Sequence, residues 1–231
     1  MISSWPCPLP GGGTADELAV QITAENGAES GLRILILPPL FDEHNKMRRF
    51  MAQVMRALAD DGLPSVLPDL TGLNESSQAL ENQKLSHWRG CVSHAIEHFE
   101  VSHVLAVRSG AMLVPDDARG WLYAPQSGAK MLRAMIRART ISSKEAGIAE
   151  TSDEISELGR SEGVALNGWP ISAALFTELE SAETPQSDRL AIIDQSLVGG
   201  SGIWLRAEPD EDSAQSASLA TAILEDLGTP E

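Results

Sequence analysis

His103-Val104-Leu105-Ala106-Val107-Arg108-Ser109-Gly110-Ala111-Met112 decides how the chain is read. A short aliphatic run passes directly into small residues and then into the start of a helix. In a parallel sheet this is the layout of a buried strand, a sharp elbow and a following helix. Elbows of the form G-x-S-x-G hold a nucleophilic serine at the apex. Two registers fit this sequence. With Ser109 at the apex, the flanking glycine positions hold Val107 and Ala111. With Arg108 at the apex they hold Ala106 and Gly110, a small residue on each side, and this register is preferred. A guanidinium stays protonated at neutral pH and cannot attack a carbonyl.

Outward from the elbow, strands alternate with helices. Aliphatic runs at 33–37, 64–67 and 120–125 predict buried strands, and 189–196 and 202–206 the last two. Residues 18–23 alternate weakly and predict an edge strand, with Asn26-Gly27 as a turn. Helices are expected at 46–61, 80–99, 128–140, 170–180 and 214–227. Met47, Phe50, Met51, Val54, Met55 and Leu58 recur at helical spacing and read as core. The pattern implies an α/β fold: one domain over residues 1–231, with a doubly wound, mostly parallel sheet and helices on both faces. Residues 1–15 are expected to be flexible, and 142–168 to form a polar excursion over the sheet edge.

Composition narrows the function. The net charge of −16 argues against nucleic acid and anionic membranes as partners. No apolar run approaches the roughly 20 residues of a membrane span. The first 13 residues lack the basic and apolar regions of a signal peptide. Cys7 and Cys91 lie far apart and fit no metal or redox spacing, so a reduced cytoplasmic setting is expected. No cofactor motif is present and none is expected. A small molecule or an acidic partner remains as a ligand.

Three constellations carry possible chemistry. The first is the loop Asp42-Glu43-His44-Asn45 after the first central strand. It lies where an active enzyme builds its oxyanion hole. Alternatively, Asp42 or Asn45 caps the following helix. Asp69 closes the next loop, so Arg108, Asp42, Glu43, His44 and Asp69 are the candidate pocket residues; the carboxylates offered to Arg108 are Asp42, Glu43, Asp69 and the acidic set Glu208, Asp210, Glu211 and Asp212. The second is His87, Cys91, His94 and His98, which fall on one helical stripe opposite Leu85, Trp88, Val92, Ala95 and Phe99. That stripe is expected to face solvent. His94 and His98 are the weak alternative for a metal, and no metal is favoured. The third is a basic stretch, Lys130, Arg133, Arg137, Arg139 and Lys144, of which the first three are candidates for binding an anion.

The residues resemble one family. Leu35 to Arg49, including Pro38-Pro39 and Phe41-Asp42-Glu43-His44-Asn45, resembles the opening of the exosortase system-associated hydrolases, bacterial proteins found beside exosortase and exopolysaccharide genes. Leu67 to Ser76 is similar to their D-L-x-G-x-G-x-S segment, with Asn74 in place of the second glycine. Pro125 to Arg133 and Gly168-Trp169-Pro170-Ile171-Ser172 resemble later segments. The likeness covers roughly residues 30–206. It implies an α/β-hydrolase-like fold and acyl or ester hydrolysis. Ala106-Val107-Arg108-Ser109-Gly110 is closest to a subset with G-L-R-x-G at the elbow, in which arginine stands where serine is expected.

A serine triad in this fold runs nucleophile, acid, histidine along the chain. All five histidines precede the elbow, and Glu208, Asp210, Glu211 and Asp212 stand where the base is expected. Two functions follow. One is a catalytically degenerate binding or accessory component of an exosortase/exopolysaccharide system. The other is an active serine esterase or acyl hydrolase using Ser109.

Overall fold

The computed structural model describes residues 1–24, 31–208 and 210–228. The Asn26-Gly27 turn lies outside them. In chain order the elements are β1 (Ile2–Pro8), β2 (Thr14–Ile22), β3 (Ile34–Leu37), α1 (Asp42–Asp60), β4 (Ser65–Pro68), α2 (Leu85–His98), β5 (His103–Val107) and β6 (Gly120–Tyr123). Then come α3 (Gly128–Glu145), α4 (Ser152–Ser161), β7 (Val164–Leu166), β8 (Trp169–Ile171), α5 (Ala173–Ser181), β9 (Leu190–Ile193), α6 (Gln195–Val198) and α7 (Ser213–Gly228). Seven strands form one sheet in the order β1-β2-β4-β3-β5-β6-β9. β3 to β6 and β9 run parallel; at one side β2 pairs antiparallel with β4, and β1 antiparallel with β2 at the edge.

The central strands are apolar on both faces because helices cover both. Leu35, Leu37, Val104, Ala106 and Leu122 pack against α2, α3 and α5. Ile34, Ile36, Leu105, Val107, Trp121 and Tyr123 pack against the Met47, Phe50, Met51 and Val54 stripe of α1 and Leu219 and Ile223 of α7. A strand buried on both sides has no reason to alternate, which is why these segments read as short unbroken aliphatic runs.

Several expectations are corrected. Residues 1–15 are not a flexible lead: β1 pairs with β2 from Ile2↔Val20 to Pro8↔Thr14. Trp5 and Cys7, two apart, both point into the core. The glycine run supplies the turn, with Gly12 and Gly13 at φ +93° and +76°. Pro6 and Pro8 are tolerated because β1 is the outermost strand. β2 is consequently one strand in from the edge. Within 142–168, residues up to Glu145 complete α3, and the rest holds α4 and β7, which pairs with β8 apart from the central sheet. Trp169-Pro170-Ile171 is therefore strand, and helix begins only at Ala173. The expected strand at 202–206 is a 3-10 turn, Ile203–Leu205. The expected helix at 80–99 is a 3-10 turn, Leu80–Asn82, followed by α2.

Among the described residues, no helix is long and apolar enough to cross a membrane.

Candidate functional site

Three non-glycine residues take positive φ at the carboxyl end of the parallel strands. Phe41 follows β3 at φ +57°, Arg108 follows β5 directly at +55°, and Ala124 follows β6 directly at +44°. Each such residue costs about 1–3 kcal/mol and persists only where its surroundings hold it. Arg108 is thus the apex of the elbow, in the preferred register. Gly110 explains why the elbow needs a small residue two positions on. A Cβ there would lie 2.5 Å from both the Leu37 and Pro38 carbonyl oxygens. The loop after β3 is clamped onto the elbow by this contact. Ser109 seals the same junction: its buried Oγ accepts a hydrogen bond from the Leu40 N–H at 2.8 Å.

The Arg108 side chain is 9% exposed and almost fully engaged. Nε and Nη2 donate to the two oxygens of Glu43 at 3.0 and 3.1 Å. Nη2 also donates to Gln126 Oε1 at 2.8 Å, and Nη1 to the Ala124 carbonyl at 3.1 Å. The guanidinium carbon lies 4.1 Å from the centroid of the Trp204 ring. A forked, stacked, paired arginine is the arrangement in which a buried guanidinium is least costly. The expected alternatives, Asp69 and the 208–212 carboxylates, are elsewhere. Asp210 and Asp212 pair with Arg206, and Glu211 pairs with Arg49.

Arg108 and Glu43 floor a crevice of about 550 Å³. Phe41, Met131, Met135, Trp204 and Leu205 give it apolar walls; Lys46 and Lys130 supply cations. Asp42 also borders it but does not cap α1, whose N-terminus has no side-chain cap bond. Its two oxygens instead accept from Asn167 Nδ2 at 2.6 Å and Trp169 Nε1 at 2.9 Å, holding the β7–β8 hairpin over the crevice.

The other candidates divide. His44 and Asp69 line a separate small cleft beside β2 and β4, away from Arg108. Burial, with some help from Arg48, pushes the His44 imidazole down to about 4, so it is neutral and can accept or donate locally but carries no charge. Burial raises the Asp69 carboxyl, partly offset by a 2.6 Å hydrogen bond from Asn74. On α3, Lys130 reaches the crevice while Arg133 and Arg137 face solvent. Arg139 is tied to Glu150 and to the Ala165 carbonyl.

The histidine stripe of α2 does not face water throughout. β1 lies over it. Cys91 is fully buried, His87 Nε2 is 3.1 Å from the Pro8 carbonyl oxygen, and His94 stacks on Trp5 with ring centroids 6.1 Å apart. Only His98 of the four is exposed. The opposite stripe, Leu85, Trp88, Val92, Ala95 and Phe99, is buried as expected. Among the described residues, no group of three or more His, Cys, Asp or Glu is arranged to hold a metal ion. His103 sits at the amino end of β5 against Trp121, so none of the five histidines borders the crevice.

Gln126, Asn167, Trp169 and Trp204 complete this site and were not singled out from the sequence. Trp204 lay inside a run read as strand, and Asn167 and Trp169 belong to a hairpin 125 residues or more from the carboxylate they hold.

No family model matches the chain, and no curated protein matches it in sequence. Solved structures do. Est1E from Butyrivibrio proteoclasticus matches over 98% of this chain and 99% of its own, with a TM-score of 0.61 and 12% identity. A putative hydrolase from Agrobacterium vitis S4 matches over 96% and 97%, with a TM-score of 0.49 and 12% identity. The Est1E likeness and the sheet order together show an α/β-hydrolase fold.

Proposed function

We propose that this α/β-hydrolase-fold protein binds a small anionic amphiphile in its crevice and does not cleave it. The observation that carries the reading is Arg108 at the elbow apex, four of its five N–H donors engaged by Glu43, Gln126 and Ala124. Nucleophilic catalysis needs a nucleophile with a base in hydrogen-bond reach. Ser109 Oγ is buried and accepts from Leu40 N–H, and no histidine borders the crevice.

The ligand class follows from what remains open. Glu43 neutralises Arg108, and Asp42 is occupied by the hairpin. Lys46 and Lys130 have no ion pair among the described residues, so they are the charges left for a ligand. The α3 and Trp204 walls suit a short apolar chain, and the volume is that of a small-molecule site. The resemblance of residues 35–49 to exosortase system-associated hydrolases supports an accessory role in an exosortase/exopolysaccharide system, in the cytoplasm.

Calorimetry with octanoate as the probe tests the reading, alongside turnover of p-nitrophenyl octanoate. Saturable octanoate binding, weakened by Lys130→Ala, with no ester turnover above buffer is expected. Turnover lost in Ser109→Ala would favour the serine-hydrolase alternative instead.

A further inference from the structure

The two cysteines of the chain are 84 positions apart, yet the fold brings them together beneath the edge strand. Cys7 points inward from β1 and Cys91 points up from α2, and both are 0% exposed. The two thiols are near enough to interact across the β1–α2 interface. Cys91 Sγ also lies 3.3 Å from His87 Nε2 and 3.6 Å from the Pro8 carbonyl oxygen. The Pro8 carbonyl, 3.1 Å from the same imidazole nitrogen, fixes Nε2 as the protonated one, so its N–H is shared with the sulfur. Packing alone would not require a thiol and an imidazole in contact beside a second buried thiol.

We propose that Cys7 and Cys91 are a redox pair, which a peroxide joins into an intramolecular disulfide that staples β1 to α2. The order of steps follows from the contacts. Of the two thiols, Cys91 is the one with a protonated imidazole nitrogen, His87 Nε2, 3.3 Å away, and a hydrogen bond from it favours the Cys91 thiolate. Cys91 is therefore the attacking sulfur. As thiolate it takes one oxygen of hydrogen peroxide, giving a sulfenic acid and hydroxide, and the hydroxide is neutralised by the proton Cys91 released. Cys7 then attacks that sulfur, its proton leaves with the hydroxyl as water, and the S–S bond forms. The sum is two thiols and one peroxide to one disulfide and two waters. Access comes from β1 itself. It is the outermost strand, paired on one side only, and edge strands open locally ahead of the core. Reduction by a dithiol reverses the link.

The test uses the folded, reduced, full-length protein treated with a few equivalents of hydrogen peroxide, then alkylated in denaturant. Intact mass is expected to fall by two hydrogens with neither thiol alkylated, and peptide mapping to recover Cys7 linked to Cys91. Hydrogen exchange of the Ile2–Pro8 amides is expected to slow by about tenfold and to recover with dithiothreitol. Two alkylated cysteines, a sulfinic acid on either, or a disulfide only between molecules would overturn the proposal. A Cys7–Cys91 link that leaves β1 exchange unchanged would overturn the staple. Because the decisive readings are on the unaltered chain, they do not depend on whether Cys7→Ser or Cys91→Ser folds.

Discussion

The guanidinium of Arg108 and the carboxylate of Glu43 meet edge to edge, Nε on Oε2 at 3.0 Å and Nη2 on Oε1 at 3.1 Å. Glu43 comes from the first turn of α1 and Arg108 from the turn after β5, so the pair bolts together the two loops that define the crevice. Removing one partner strands the other in a poorly solvated place. Arg108→Ala and Glu43→Ala are each expected to cost about 2–4 kcal/mol, Glu43→Ala at the lower end because its side chain is more exposed. The double variant should cost clearly less than the sum, and urea denaturation of all four proteins measures the coupling.

Gly110→Ala should be poorly tolerated despite the small size of the change. The new Cβ would meet two backbone carbonyl oxygens, which cannot move aside as a side-chain tip can. A loss of about 2–3 kcal/mol in chemical denaturation is expected, with the clamp between the elbow and the β3 loop loosened. Wild-type stability in that variant would show that the loop is not clamped.

Much of this architecture is legible in the sequence, and the failures have common causes. β3 through β6 announce themselves because both faces are buried. β1 does not, because Pro6, Pro8 and the glycine run mimic a flexible lead while Trp5 and Cys7 carry the only inward signal. Missing β1 also misplaced the α2 stripe. The helical spacing of His87, Cys91 and His94 was readable, but the strand covering them was not. Arg108 at the elbow follows from local residue sizes. Locally Asp42 reads as a pocket carboxylate or a cap, and its actual partners, Asn167 and Trp169, belong to a distant hairpin and leave no local trace.

Asp42→Ala should release that hairpin. Trp169 Nε1 and Asn167 Nδ2 would lose their acceptor, at a cost of about 1–2 kcal/mol. Hydrogen exchange within 164–171 is expected to quicken while the β3–β6 core stays protected. Unchanged protection of the hairpin would mean that Asp42 does not hold it.

His44 sets a pH dependence. Its folded value, about 4, lies below the 6.5 of an unperturbed imidazole, mainly because it is buried. Between these values the unfolded chain binds a proton that the folded one refuses, so its contribution is complete above pH 6.5 and is lost as pH falls toward 4. The loss is on the order of 3 kcal/mol. Measured against His44→Gln, wild-type stability should fall relative to the variant over that window and stay parallel above it. Parallel curves throughout would rule out a neutral, buried His44.

The central claim is that arginine has replaced the nucleophile and that the neighbouring serine serves the fold. Labelling the purified protein with a fluorophosphonate and reading its intact mass tests this most directly. The account predicts an unmodified mass after prolonged exposure, because Ser109 Oγ is buried against Leu40 and, among the described residues, no histidine hydrogen-bonds to it. A stoichiometric adduct at Ser109, absent from Ser109→Ala, would contradict it.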